Sequence, residues 1–215
     1  MKVGIVSTVD EKLDAFLEEL ENFSVVNYEG DDYTVSKIGG EEVFIVYPQG
    51  NTKENIQAVV EKLIHHFEVA RLIFIGFAGA IDYKLAPLAM IIGKNHLNHQ
   101  NGEIYKASNK LIGSLSRSYP SAKVVDVITY GYFLENVEEK KKLKTNYPNI
   151  AAIDRHSAYL AEIASIHEIP FISLYAITDN ANDQAVKNYK KYEILATSKT
   201  VDIILEFIKS KHFDK

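Results

Sequence analysis

Asp179 closes an apolar run. Residues Phe171 to Ile177 follow Pro170, and only Ser173 and Tyr175 among them carry polar side-chain atoms. Thr178 and Asp179 come next, and Asn180, Asn182, Asp183 and Gln184 crowd the positions after them. A proline-led run rich in aromatic and β-branched residues predicts a buried strand, and the polar stretch predicts a loop. A short carboxylate at the end of a buried strand stands where α/β proteins open a ligand crevice. A carboxyl held partly out of water keeps its proton toward neutral pH and can work as a general acid. The competing reading is that Asp179 caps its loop or a following helix.

Three further stretches place reactive or ligand-facing residues after apolar runs. Gly76-Phe77-Ala78-Gly79 ends the run that begins at Leu72, and glycines there admit close approach of a ligand to the backbone. Phe77 reads either as core packing or as a pocket wall. Tyr130-Gly131-Tyr132-Phe133 follows the run from Val124 to Thr129. Asp154-Arg155-His156 follows Ile150 to Ile153. Arg155 is either a surface residue or an anion site for a phosphate or carboxylate on a ligand. His156 is either a sugar-hydroxyl partner or a helix N-terminal residue. His96 and His99 lie three apart in a stretch read as a polar loop, with no third ligand in view, so the expectation is no metal site. His65 and His66 are expected to be partly exposed on a helix beside Phe67.

The elements that must position these residues follow from periodicity. Val3 to Ser7 predicts a strand, and Leu13, Phe16, Leu17 and Leu20 recur at helical spacing behind it. Tyr33 to Ile38 and Val43 to Tyr47 predict a hairpin around Gly39-Gly40. Asn51 or Thr52 can cap a helix whose apolar face holds Ile56, Val59, Val60, Leu63, Ile64 and Phe67. Leu88 to Ile92 predicts a strand, with Gly93 to Gly102 read as a loop. Helices are expected over Leu111 to Tyr119, over a lysine-rich and solvated stretch from Asn136 to Asn146, over Ser157 to Ile166, and over Val201 to Ile208. Strands alternating with helices predict an α/β class with a mixed central sheet flanked by helices, as one domain over residues 1–215.

Composition narrows the function classes. With 215 residues, 47% of them hydrophobic, the chain can bury a core without metal or disulfide support, and the absence of cysteine excludes thiol chemistry. A net charge of −5 with only Arg71, Arg117 and Arg155 as arginines argues against a nucleic-acid partner. No apolar run reaches membrane-spanning length and no signal peptide is evident, so a cytoplasmic protein with no membrane partner is expected.

Taken in order, these stretches resemble the nucleoside phosphorylase superfamily, most closely its methylthioadenosine/S-adenosylhomocysteine nucleosidase branch. Gly76-Phe-Ala-Gly79 stands where that family has Gly-Ser-Ala-Gly-Gly, and Phe133-Leu134 where it has Phe-Ile. Ile153-Asp-Arg-His156 stands for Val-Glu-Met-Glu, and Ala176-Ile-Thr-Asp179 for Ala-Ile-Ser-Asp. The resemblance implies a purine N-glycosidase in which Asp179 protonates the leaving base and Thr178 steadies it. It also implies Asp154 as the second catalytic carboxylate, toward the water or the ribose, Phe133, Leu134, Ala78 and Gly79 around the base, Val9, Phe77 and Tyr189 as further substrate contacts, and Arg155 and His156 on the sugar side. A nucleoside ligand, no cofactor, and a homodimer are the corresponding expectations. The departures are Lys12, His156 and Tyr175, which replace a glutamate, a glutamate and an arginine of the family pattern. They open the alternatives of a nucleoside- or nucleotide-binding protein without hydrolysis, or of a phosphorylase.

Overall fold

Two long parallel strands form the centre of the molecule. The computed structural model describes residues 1–8, 10–50, 52–210 and 212–213, with the side chains of residues 10–13 outside that description. Strand β5 (Arg71–Ala80) and strand β10 (Phe171–Asp179) run side by side, from Leu72 opposite Phe171 to Gly79 opposite Asp179. Every residue of β10 is buried. The reason is that both faces of the sheet are covered, which also explains why its sequence reads as a continuous apolar run rather than an alternation.

The alternation survives as a division between two cores. Leu72 and Phe74 of β5, with Phe171, Tyr175 and Ile177 of β10, belong to one cluster. Ile73 and Ile75, with Ile172, Leu174 and Ala176, belong to the other. The first core is roofed by α2 (Lys53–His65) and α5 (Ser157–Ile166), the second by α6 (Ala185–Lys209) with Phe16 of α1 (Asp10–Glu19) and Leu111 and Leu115 of α3 (Asn109–Ser118). Each large apolar side chain taken fully out of water contributes roughly 1.5–3 kcal/mol.

On one side the sheet closes on itself. β10 pairs antiparallel with β6 (Met90–Asn98), β6 parallel with β8 (Lys123–Thr129), and β8 parallel with β9 (Ile150–Asp154). β9 then returns antiparallel to β5 through Gly79–Ile153 and Ala80–Ala152. On the other side β1 (Lys2–Ser7), β4 (Glu41–Val46), β3 (Asp31–Ile38) and β2 (Phe23–Tyr28) extend the sheet outward, and β7 (Ile104–Lys106) pairs with β6. The remaining helix, α4 (Val137–Asn146), begins on an Asn136 cap that accepts from the Glu138 and Glu139 amides.

The α/β class and mixed sheet agree with the sequence reading, and three local readings do not. β2 was not foreseen; it is an edge strand with five of six residues exposed, so it lacks a buried apolar signature. Gly76–Gly79 does end the run from Leu72, as the last part of β5, where a close-packed Phe74 ring covers the Gly76 face. The Gly93–Gly102 loop is in its first half strand β6, which runs on to Asn98 through an irregularity between Gly93 and His96. That irregularity breaks the apolar run at Lys94 and Asn95. Finally, α6 begins at Ala185, sixteen residues before the predicted Val201, because its first turns are polar on the outside and pack on the site with only a few residues. No helix among the described residues is long and apolar enough to cross a membrane.

Candidate active site

The carboxyl ends of β5, β9 and β10 converge, and a cavity of about 360 Å³ opens there, within the size range of small-molecule sites. Thr8 after β1, Tyr132 to Leu134 after β8, and Val186 and Tyr189 on α6 complete its wall. The closing of the sheet between β5 and β9 is what brings these ends together. All the site residues singled out in the sequence line this cavity except Val9, which lies outside the described residues. Asp10, Glu11 and Lys12 carry side chains outside the description as well.

Asp179 lies on the floor and is 2% exposed. Its Oδ1 accepts the Ala181 amide at 2.8 Å and its Oδ2 accepts the Thr178 hydroxyl at 3.0 Å. Burial pushes its pKa up, while these two hydrogen bonds and the Lys140 ammonium pull the other way without reversing the shift. Thr178 and the loop amide therefore hold the carboxyl in one orientation, and the dry surroundings favour its proton. Ala181 sits at a positive φ of 46°, which folds its amide back toward the carboxyl.

Asp154 is 4% exposed, and it is more heavily engaged. Thr129 donates its hydroxyl to Oδ1 at 2.6 Å, and the Ser157 amide donates to Oδ2 at 2.9 Å. The Thr129 oxygen in turn accepts the Ala158 amide at 2.9 Å. Asp154 thus ties the end of β8 to the first turn of α5, satisfying amides that a helix start leaves without intrahelical partners. Burial raises its pKa too. The Ser157 hydroxyl and the His156 amide also bond to this carboxyl, so most of its acceptor sites are taken by the protein itself.

Arg155 and His156 divide between surface and interior. Arg155 is exposed at the rim, while His156 is 6% exposed, with Nε2 buried and without a hydrogen-bond partner. Burial, and secondarily the Arg155 charge, lower the His156 pKa to about 3, so its ring is neutral over the physiological range. The ring lines the cavity while its Nε2 is itself shut off from solvent, an unpartnered polar atom in the wall.

Aromatic rings frame the mouth. Tyr189 meets Phe77 edge-on at 5.6 Å and Phe133 at 6.0 Å between centroids, with interplanar angles of 76° and 89°. These edge-to-face contacts fix the three rings against one another at the cavity wall. Phe77, half-buried, both lines the cavity and packs against the second core.

The sequence reading passed over several residues here. Lys140 was placed on a solvated helix, yet its ammonium reaches inward to the carbonyls of Ala80 at 2.8 Å and Asn180 at 2.6 Å. It staples the end of β5 to the loop after Asp179. Lys144, one turn on, likewise reaches the Ile150 carbonyl at 2.9 Å, and inward lysines scattered in a lysine-rich helix leave no apolar periodicity. Phe74 and Val186 also line the cavity unforeseen. His96 and His99 point to different places: His96 Nε2 lies 2.7 Å from Ser173 Oγ in the interior, and His99 stacks on Tyr130 at 4.0 Å.

Gly79 offers a test of how finely the floor is set. A Cβ there would lie 2.8 Å from Asp179 Oδ1 and 3.2 Å from both Ala181 Cβ and Ile153 Cγ2. Gly79→Ala is expected to displace the carboxyl by a fraction of an ångström, at a stability cost of about 1–3 kcal/mol. Misplacement on that scale costs on the order of 10²-fold in turnover. Turnover and urea midpoint measured on the same preparation check it: a variant with unchanged turnover means the carboxyl position is immaterial.

Fold and site together define a class: a mixed sheet closed at one side, with a buried carboxyl and aromatic side chains around a cavity at the strand ends. The chain belongs to the phosphorylase superfamily, whose family model matches residues 2–209. Among curated relatives, the 5'-methylthioadenosine/S-adenosylhomocysteine nucleosidase of Shewanella piezotolerans is 23% identical over 97% of this chain and 99% of its own length. That of Staphylococcus epidermidis is 22% identical over 95% and 99%. Among solved structures, the same nucleosidase from S. pneumoniae, with the transition-state inhibitor MT-ImmA, superposes with a TM-score of 0.91 at 23% identity, covering 97% and 99% of the two chains. The futalosine hydrolase of Helicobacter pylori reaches 0.90 at 16% identity, covering 97% of each.

Proposed function

We propose that this protein is a purine nucleosidase that hydrolyses the bond between ribose and base, with Asp179 as proton donor. The observation that carries the reading is the Asp179 carboxyl: buried, raised in pKa and held by Thr178 and Ala181 on the floor of an aromatic-walled cavity. The base enters the slot formed by Phe77, Phe133 and Tyr189, with backbone groups of Ala78, Gly79 and Leu134 at its edge. Asp179 gives its proton to a purine ring nitrogen, and the glycosidic electron pair leaves with the base. Water then adds to the ribosyl cation and gives up a proton that returns to the Asp179 carboxylate, restoring the acid. In this reading Asp154 faces the water or the sugar, and neutral His156 and Arg155 meet the sugar side. That the curated relatives named above are methylthioadenosine/S-adenosylhomocysteine nucleosidases supports adenine nucleosides with a 5′-thio substituent as the first substrates to try.

A second reading is favoured by one observation. Lys12, His156 and Tyr175 replace a carboxylate, a carboxylate and a guanidinium of the family pattern, and Tyr175 is a fully buried core residue packed on Phe74 at 5.6 Å. A protein that binds nucleosides without cleaving them fits that loss. A phosphorylase fits less well, because Arg155 is the one arginine lining the cavity among the described residues. A cytoplasmic homodimer is part of the proposal, resting on the family resemblance.

A panel of purine nucleosides, including methylthioadenosine and S-adenosylhomocysteine, assayed for free base with and without phosphate, separates the three. Base release indifferent to phosphate is the expected result. Phosphate-dependent release would make the chain a phosphorylase, and binding without release at high protein concentration would leave only the second reading.

A further inference from the structure

Away from the cavity, the seam between α2 and α5 carries a cluster unrelated to the proposed chemistry. Lys53 Nζ and Gln57 Nε2 both reach Glu162 Oε2 at 3.0 Å. One helical turn further along the same face, Glu61 Oε2 lies 3.0 Å from His65 Nε2 and 2.9 Å from His167 Nε2. Glu61 and His65 are four apart on α2, and so neighbours on its surface. His167 comes from the end of α5, where its own amide is bonded to the Ile163 carbonyl at 3.1 Å. The two imidazoles meet edge to face at 4.7 Å between centroids. The three ligand-capable atoms lie within 4.8 Å of one another.

We infer that Glu61, His65 and His167 form a binding site for a divalent transition cation of the zinc type. Two imidazole nitrogens and one carboxylate oxygen are a common donor set for zinc, with bonds of about 2.0–2.2 Å. Tetrahedral geometry at those bond lengths puts neighbouring donors roughly 3.3 Å apart, so the cation enters with small side-chain adjustments. It replaces the imidazole protons that now bridge to Glu61, and water takes the fourth position. The seam is braced by Glu162 with Lys53 and Gln57, so the ligands are presented on two fixed helices. Calcium and magnesium, which prefer oxygen donors, are poor competitors. The expectation from sequence that no metal is held rested on His96 and His99 alone; here the third ligand is about one hundred positions distant. His66, next to His65, is turned away and stacks on Tyr28 at 3.6 Å.

The test uses the full chain without a histidine tag. Zn²⁺ is titrated calorimetrically, and Co²⁺ is added in parallel to read the visible bands of a tetrahedral nitrogen–oxygen site. One ion per chain, a melting midpoint raised by zinc but not by magnesium, and affinity weakened roughly tenfold or more in both His167→Gln and Glu61→Gln are the expected results. Both substitutions are at partly exposed positions and preserve side-chain size and hydrogen bonding, and circular dichroism verifies that the variants are folded. Absence of stoichiometric zinc binding by the wild-type chain overturns the inference, and so does binding that both variants retain. Neither readout depends on nucleoside cleavage, so the outcome is independent of the proposed function.

Discussion

Asp179→Asn is expected to lower the rate of base release by about 10²–10⁴-fold and to change nucleoside affinity only a few-fold. The side chain is nearly isosteric. Its amide oxygen can still accept the Ala181 amide, and the Thr178 hydroxyl can rotate to accept from the new NH₂, so both contacts at 2.8 and 3.0 Å have a replacement. What disappears is the transferable proton. The wild-type rate carries a pH signature for the same reason. Burial raises the Asp179 pKa, so the protonated form persists above the ordinary carboxylate range, and turnover falls as pH rises through the raised value. In the variant that limb of the profile is absent. Single-turnover rates and equilibrium binding, measured from pH 5 to 9, check both parts. Wild-type turnover in Asp179→Asn would falsify the general-acid assignment while leaving the nucleoside pocket intact.

Acid is expected to destabilise the fold through two buried histidines. Burial lowers the His96 pKa to about 4, and burial with the Arg155 charge lowers that of His156 to about 3. In the unfolded chain both titrate near 6.5. Above that pH neither state is protonated and the neutral rings cost nothing. As pH falls below it, the unfolded chain takes up protons that the native state refuses, and stability is lost until the folded values are reached. For His96, fully buried beside Ser173, the loss amounts to roughly 3 kcal/mol as an upper figure, and His156 adds a contribution of the same sign. Asp179 and Asp154 act oppositely, since carboxyls with raised folded pKa hold protons in the native state, and their contribution falls as pH rises from about 4. Urea unfolding at pH 8, 6.5, 5.5 and 4.5 should therefore show a steep decline, flattened in His96→Gln, whose amide can still pair with Ser173. An unchanged slope in that variant would assign the acid lability elsewhere.

The site was legible where chemistry coincides with a strand end. Asp179 and Asp154 each close an apolar run and Phe133 follows another, so runs and termini marked them singly; that they meet around one ligand was an expectation of the family resemblance, and the cavity lining brings them together. Lys140 was not legible, because its inward reach depends on how α4 lies against the ends of β5 and β10, and its neighbours in sequence are solvated lysines. His96 was misread for a related reason. A local irregularity in β6 interrupts the apolar pattern while the backbone continues as strand, so the polar letters looked like a loop.

Local sequence determined the buried central strands, the cap at Thr52 and the polar mouth after Ile177, because these depend on residues within a few positions of one another. It also determined that Asp179 would end on a buried strand. Which carboxyls have their pKa raised, which histidine is buried at the cavity wall and which pair meets across a helix seam were decided only by tertiary structure. Burial and charge proximity are properties of the space between elements, and that space exists only after β9 has closed on β5 and the helices have packed over both faces of the sheet.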